Sequence, residues 1–309
     1  RGELVAIPTE TVYGLAANAL DPAAVRRIYA AKERPSFNPL IVHIADASEL
    51  PTVARHIPPI AHELARLFWP GPLTLVLQRQ PIISDLVTAA LDTVGVRIPA
   101  SEVTRAVIRA AGVPLAAPSA NLFTRVSPTL ASHVARHLGD RVALILDAGP
   151  ARVGIESTVL DLTVIPPRLL RPGGIDRALL ESVVGPIAMA SDPTGEHPRP
   201  SPGMVERHYA PHTSIILFAP VDLSAILAQA ADLRSQGKLV EVVLREGVVP
   251  NATNVRSMPL EPDAYARALY GMLHDIEQEA TDVAFVEELP KEAAWDAVRD
   301  RLRRAATAR

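Results

Sequence analysis

The sequence predicts an α/β protein in two parts: a larger domain with a twisted mixed sheet and flanking helices, and a smaller Rossmann-like domain. Three observations carry this. Residues 1–189 mix short apolar, β-rich runs with helical periodicities, without strict alternation. Residues 213–309 alternate strand and helix signals one by one, as parallel α/β units do. Between them, residues 190–212 shift to Pro, Ser, Gly and His, the composition of a linker. The length, 309 residues, suits two domains of roughly 100–200 residues each.

The elements follow in order. An apolar run at 4–7 is a strand, and residues 8–15, PTETVYGL, leave it on what reads as a strand-to-helix connection. Pro8 cannot donate to a ladder and ends the strand, and Gly14 permits a backbone conformation closed to other residues. Asp21 as N-cap and Pro22 at N1 open a helix to about residue 34, with Val25, Ile28 and Tyr29 at helical spacing. Residues 32–39, with prolines at 35 and 39, form a loop into a strand at 40–44. A helix at 59–68 breaks at Trp69-Pro70-Gly71-Pro72, and strands are predicted at 73–77 and 94–99. Ser101 caps a helix to about 111, and residues 114–117 lead into a second polar strand end, Pro118-Ser119-Ala120-Asn121. A helix at 128–138, strands at 142–146, 157–161 and 168–174, and a helix at 175–184 complete the first domain. The second domain reads as strands at 214–218, 239–244 and 283–286, with helices at 221–236, 262–279 and from the last strand to 306. It has no glycine fingerprint, so dinucleotide binding is not supported.

Composition narrows the function. With 48% hydrophobic and 21% charged residues, the chain is an ordinary globular protein. A net charge of −3 gives no overall field for nucleic acid, so any phosphate site is a local cluster. The absence of cysteine excludes disulfides, thiolate metal sites and cysteine nucleophiles together. Proline, 29 of 309 residues against an average of roughly 5%, implies many irregular connections. No apolar run of about 18 residues and no signal-peptide pattern is found, so no membrane association and a cytoplasmic location are expected. The chain begins at Arg1, directly before a strand, so native residues are expected to precede it.

Hydroxyls and cations recur at predicted strand ends: Lys32, Arg34 and Ser36 in one loop, then Arg97, Ser119 and Arg171. An ammonium, guanidiniums and serine hydroxyls suit a polyphosphate, and Arg forks suit carboxylates. The charges converge only if their strands share one edge; taken singly, each also reads as a solvated loop charge. Rival motifs are weak. There is no P-loop, no His-Glu-x-x-His and no Gly-x-Ser-x-Gly elbow. His133 with His137, and His208 with His212, have metal-pair spacing but no nearby third ligand, so surface histidines are favoured. The basic run 299–304 reads as a solvated helix face, with RNA contact the minority reading.

Six stretches then form a set: PTETVYGL at 8–15, KERPSFNPL at 32–40, Ser119-Ala120-Asn121, Ser127-Pro128-Thr129, Ser157-Thr158-Val159 and Arg171-Pro172-Gly173. In this order they resemble the YrdC-like family of threonylcarbamoyl-AMP synthases. Ser201-Pro202-Gly203-Met204 with His208-Tyr209-Ala210-Pro211, and the tail around Asp300-Arg301-Leu302, resemble its two-domain form. The resemblance implies a YrdC-like catalytic domain at 1–189, a linker or lid at 190–212 and a Rossmann-like domain at 213–309. It implies synthesis of L-threonylcarbamoyladenylate from L-threonine, bicarbonate and ATP, with pyrophosphate released and Mg2+ on the triphosphate. The product serves the downstream tRNA threonylcarbamoyl transferase machinery, with direct tRNA contact left open. Lys32 and Arg34 would be catalytic. Lys32, Arg34, Ser36, Thr93, Ser119, Ser127, Arg171 and Tyr209 would contact ATP. Thr9, His43, Arg97, Ala117 (through its backbone) and Ser157 would line the threonine pocket. Glu10 and Tyr13 receive no role beyond packing. One departure stands out: Phe123-Thr124 replaces the family's usual Ser-Gly. The alternatives are an RNA-binding module with the same basic pocket, and carbamoyl-adenylate formation, whose accompanying zinc segment a chain without cysteine cannot form.

Overall fold

The computed structural model describes residues 1–190, 200–202, 208–246 and 254–306. Two compact units are found: Arg1–Phe123 with Ser127–Val205, and Thr124–Val126 with Glu206–Arg309. Of the expected linker at 190–212, residues 191–199 and 203–207 lie outside the described residues, Gly203 and Met204 among them.

In the first unit the strands are β1 (Val5–Ile7), β2 (Gly14–Asn18), β3 (Ile41–His43), β4 (Ala54–Arg55), β5 (Leu73–Arg79), β6 (Thr93–Arg97), β7 (Leu115–Ala116), β8 (Leu144–Ile145), β9 (Thr158–Asp161), β10 (Arg168–Arg171) and β11 (Ala188–Met189). Its helices are α1 (Pro22–Lys32), α2 (Leu50–Val53), α3 (Pro59–Phe68), α4 (Asp85–Thr88), α5 (Glu102–Ala111), α6 (Ala131–Leu138) and α7 (Arg177–Val184). Among the described residues the strands join in one mixed sheet, in the order β11-β10-β9-β5-β6-β3-β7-β2-β1-β8, with β4 against β5. α1 starts as its sequence dictates: the Asp21 carboxylate accepts the Ala23 amide at 2.8 Å, with Pro22 at N1. The Ser101 hydroxyl likewise caps α5.

The pleat decides what each strand buries. Leu73, Leu75 and Leu77 of β5, Val94 and Val96 of β6, and Val42 of β3 enter the main core with Ile28, Leu64 and Leu160. Successive side chains alternate across a sheet, so Thr74 and Val76, then Thr93, Gly95 and Arg97, then Ile41 and His43, share the opposite face. That face holds the candidate site.

Residues 8–13 connect two strands and not a strand and a helix, because β2 intervenes before α1. The sequence Gly-Leu-Ala-Ala-Asn has little β-propensity. It is held as a strand by pairing with β1 and β7, and all but its last residue are buried. Gly14 is not in a left-handed conformation; a Cβ there would lie 3.3 Å from that of Ala117, a tight contact that a side chain would relieve only by displacing its neighbour by a few tenths of an ångström. α6 begins at Ala131, three residues later than the apolar pattern suggests.

The second unit has β12 (Ser214–Phe218), β13 (Val240–Arg245), β14 (Val255–Met258) and β15 (Val283–Glu287), with α8 (Leu223–Ser235), α9 (Pro262–Gln278) and α10 (Asp296–Ala305). Its strands are parallel throughout, in the order β12-β15-β13-β14. Phe218, Ile226, Val242, Leu244 and Phe285 form its core. The run 299–304 departs from a solvated face: Arg301 is fully buried and Arg304 is 7% exposed. Asp300 accounts for this, accepting from Arg301 Nη1 at 2.8 Å and Arg304 Nε at 2.9 Å.

Candidate active site

The site begins at one end of the sheet face. His43 and Arg97 are direct neighbours at the ends of parallel β3 and β6. β5 runs antiparallel to β6 and parallel to β9, so the starts of both lie at that same end, where Ser157 precedes β9. The Ser157 hydroxyl meets Thr74 Oγ1 at 2.8 Å. Ala117 closes the row beside β3, donating its amide to the Ile41 carbonyl at 2.9 Å.

The loop between β1 and β2 folds against this row. Thr9 Oγ1 accepts the Thr11 and Val12 amides, donates to the Val12 carbonyl at 2.6 Å and lies 2.8 Å from Thr11 Oγ1. Arg97 reaches the same loop. Its Nη1 donates to Thr11 Oγ1 at 2.9 Å, its Nη2 to Glu10 Oε1 at 2.5 Å and its Nε to the Gly71 carbonyl at 3.1 Å. Thr9, Arg97, His43, Ala117 and Ser157 thus line adjoining segments of one surface. His43 is buried, and desolvation first, then the Arg97 charge, push its pKa down to about 3 against the hydrogen bonds to the Ile41 and Leu115 backbone. It is neutral at physiological pH. Nδ1 lies 3.2 Å from the Ile41 carbonyl, to which it donates in the tautomer that carries the proton there.

The second group gathers at the C-terminus of α1. Lys32 is buried, and its ammonium donates to the Ser119 carbonyl at 2.6 Å and to the Asn121 carbonyl. Burial first and the Arg34 charge second hold its pKa well below the usual lysine value. Glu33 takes a left-handed C-cap conformation that ends the helix and starts the loop. Arg34 is buried too, donating to the Asn38 and Pro39 carbonyls with its guanidinium carbon 5.8 Å from the Phe123 ring centroid. Ser36 is exposed on that loop. Ser127 donates to Glu156 Oε1 at 2.6 Å, both buried. Arg171, at the end of β10, grips the Ser157 carbonyl through Nε and Nη2 and the Pro202 carbonyl through Nη1. Pro200 and Pro202 lie over the face: with Thr74, Thr93, Gly95 and Ile41 they enclose a cavity of about 10 Å³, room for about one water. Tyr209 is carried by the second unit, where it is buried with Arg301 5.2 Å from its ring centroid and Tyr270 at 5.7 Å.

Comparison with known proteins identifies the lineage. A family model described as "Telomere recombination" matches residues 1–173, and one described as "Threonylcarbamoyl-AMP synthase, C-terminal domain" matches residues 175–307. The chain is 42% identical to the threonylcarbamoyl-AMP synthase of Pyrococcus abyssi, over 98% of its own length and 90% of the relative's. Identity to the Bacillus subtilis threonylcarbamoyl-AMP synthase is also 42%, over 99% of the chain and 90% of the relative. The chain belongs to the threonylcarbamoyl-AMP synthase family. The crystal structure of P. abyssi Sua5 complexed with L-threonine superposes with a TM-score of 0.92 at 42% identity, covering 99% of this chain and 91% of that one. A P. abyssi Sua5 variant with alanines for an adjacent histidine and tyrosine gives 0.91 at 41% identity, over 99% and 89%.

Two residues of this synthase-family site escape sequence reasoning. Glu10, read as packing, is a buried ion-pair partner of Arg97; its signal was the acid inside a motif otherwise made of hydroxyls. Glu156 has a weaker signal, an acid directly before Ser157. Tyr13 keeps its packing role, its hydroxyl donating to the Gly149 carbonyl at 2.7 Å. The histidines are not all superficial: His133 and His208 are buried, and desolvation brings the pKa of His133 down to about 4.

Proposed function

We propose that this chain joins L-threonine, bicarbonate and ATP into L-threonylcarbamoyladenylate and releases pyrophosphate, a nucleotidyl transfer that supplies tRNA modification. The observation that carries the reading is full-length similarity to named threonylcarbamoyl-AMP synthases. The site chemistry agrees with it. Arg97, with Thr9, His43, Ala117 and Ser157, offers a carboxylate fork beside neutral donors and acceptors, as an amino acid requires. Lys32, Arg34 and Arg171, with Ser119, Ser127, Ser36 and Thr93, offer cations and hydroxyls to a triphosphate. The RNA-binding alternative is not favoured.

The threonine amine reacts with bicarbonate, releasing water, or with CO2, releasing a proton, and the new C–N bond makes a carbamate. A carbamate oxygen then attacks the α-phosphorus of ATP, and pyrophosphate leaves. Such a transfer depends on alignment and charge neutralisation more than on a covalent nucleophile. Lys32 and Arg34 would hold phosphate, Arg97 would orient the threonine carboxylate and Arg171 would tie the amino-acid wall to residues 200–202. The hard oxygen donors Glu156 and Ser127 fit Mg2+, which when bound would screen the phosphate charge. Residues 200–202 occupy the sheet face, so admitting a nucleotide there requires them to shift, and their return would exclude water from the mixed anhydride. This chain also has an adjacent histidine–tyrosine pair, His208-Tyr209, as the P. abyssi protein had before its alteration, which keeps Tyr209 a candidate.

Mass spectrometry after mixing protein, ATP, Mg2+, L-threonine and bicarbonate tests the reaction. Threonylcarbamoyladenylate and pyrophosphate are expected, both dependent on threonine and bicarbonate; their absence would refute the reading.

A further inference from the structure

Glu10 is a buried charge to which the reaction above assigns no task. Its side chain is 4% exposed, that of Arg97 is 5%, and the two meet at 2.5 Å. Of the five N–H donors of a guanidinium, Arg97 commits one to Gly71, one to Thr11 and one to Glu10. The other Glu10 oxygen accepts the Ala100 amide at 2.9 Å, immediately before the N-cap of α5. Two guanidinium protons remain for a ligand, but the charge behind them is already neutralised. His43 beside Arg97 adds none, being neutral above its pKa of about 3. At the Ser157 end, Arg171 donates to the Ser157 hydroxyl and Glu156, the residue before Ser157, accepts from Ser127, so one buried cation and one buried anion flank Ser157 and their formal charges sum to zero. The amino-acid wall is close to electroneutral.

A buried, electroneutral wall discriminates by ligand charge. A bare carboxylate would add net negative charge in low-dielectric surroundings beside Glu10, whereas a carboxylate with an α-ammonium adds none. We infer that Glu10 determines the specificity of the amino-acid pocket: by holding one side of Arg97 in a buried ion pair, it makes the site select a zwitterionic amino acid over the same carboxylic acid without its amino group. The inference rests on the proposed amino-acid site and deepens it, because an unpaired Arg97 would favour the bare anion.

Calorimetry on the full chain without ATP tests this with three ligands: L-threonine, 3-hydroxybutanoate (which lacks the amine) and L-threonine amide (which lacks the carboxylate). L-threonine is expected to bind wild type at least about tenfold more tightly than either analogue. In Glu10→Gln, near in shape but uncharged, the preference for threonine over 3-hydroxybutanoate should shrink by about tenfold. A role confined to holding Arg97 in place would weaken both ligands in parallel and leave the ratio unchanged, which would overturn the inference. Wild type binding 3-hydroxybutanoate as well as threonine would overturn it too, without needing the variant to fold. If wild type bound no threonine, the amino-acid site itself would be refuted, a different outcome from threonine binding without charge selection.

Discussion

Lys32 shows how burial and function meet in one side chain. Its ammonium is out of water, held by two backbone carbonyls and depressed in pKa by that burial. An arriving phosphate would supply the missing counter-charge. Lys32→Ala is therefore expected to lower threonine-dependent pyrophosphate release by about a hundredfold, measured by a coupled pyrophosphate assay; unchanged release would remove Lys32 from the site. His43 gives a second prediction, through pH. Its folded pKa of about 3 lies below the ordinary 6.5, so the folded state prefers the neutral ring. The resulting stability is complete above pH 6.5 and is lost as pH falls toward 3. Between pH 6.5 and pH 4 this amounts to about 3 kcal/mol, and urea titrations at the two pH values should show a smaller loss for His43→Gln than for wild type. His133, shifted the same way, adds a drop that the variant retains.

At the scale of elements, helices were the most legible, because their ends carry local signals. Asp21-Pro22 and Ser101 start α1 and α5 where their chemistry requires, and α3 spans the predicted residues. Strands were less legible: the alanine-rich β2 forms through its neighbours and leaves no pattern of its own. Loops hold two further predictions. Gly173 lets the turn after β10 lie on the start of β9, and an added Cβ would sit 2.4 Å from Glu156, Ser157 and Thr158 backbone atoms. Gly173→Ala should cost about 2 kcal/mol or more in a denaturant melt and weaken threonine binding, because Ser157 must move with that backbone. Thr124, where the family usually has glycine, holds a left-handed φ of 67°. A β-branched residue is strained in that conformation, and Thr124→Gly should raise stability by about 1 kcal/mol by urea titration.

Across the whole molecule, the chain reads as a sheet face with candidate contacts brought from many segments, and a strap at 200–202 laid over it. Cutting the chain near Pro200 should reduce threonylcarbamoyladenylate formation while the first unit keeps its circular dichroism spectrum and cooperative melt; full activity after the cut would exclude a lid role for the strap. Among the described residues no helix is long and apolar enough to cross a membrane. The sequence by itself determined the α/β class, the starts of α1, α3 and α5 and the motifs that carry the family resemblance, because capping, periodicity and motif chemistry act within a few neighbouring positions. Tertiary structure alone decided that Glu10 neutralises Arg97, that Lys32 and Arg301 are buried, and that Thr93, Arg97 and His43 share one face. Those pairings join residues tens of positions apart, and they depend on strand order and on the burial that sets the strength of each charge.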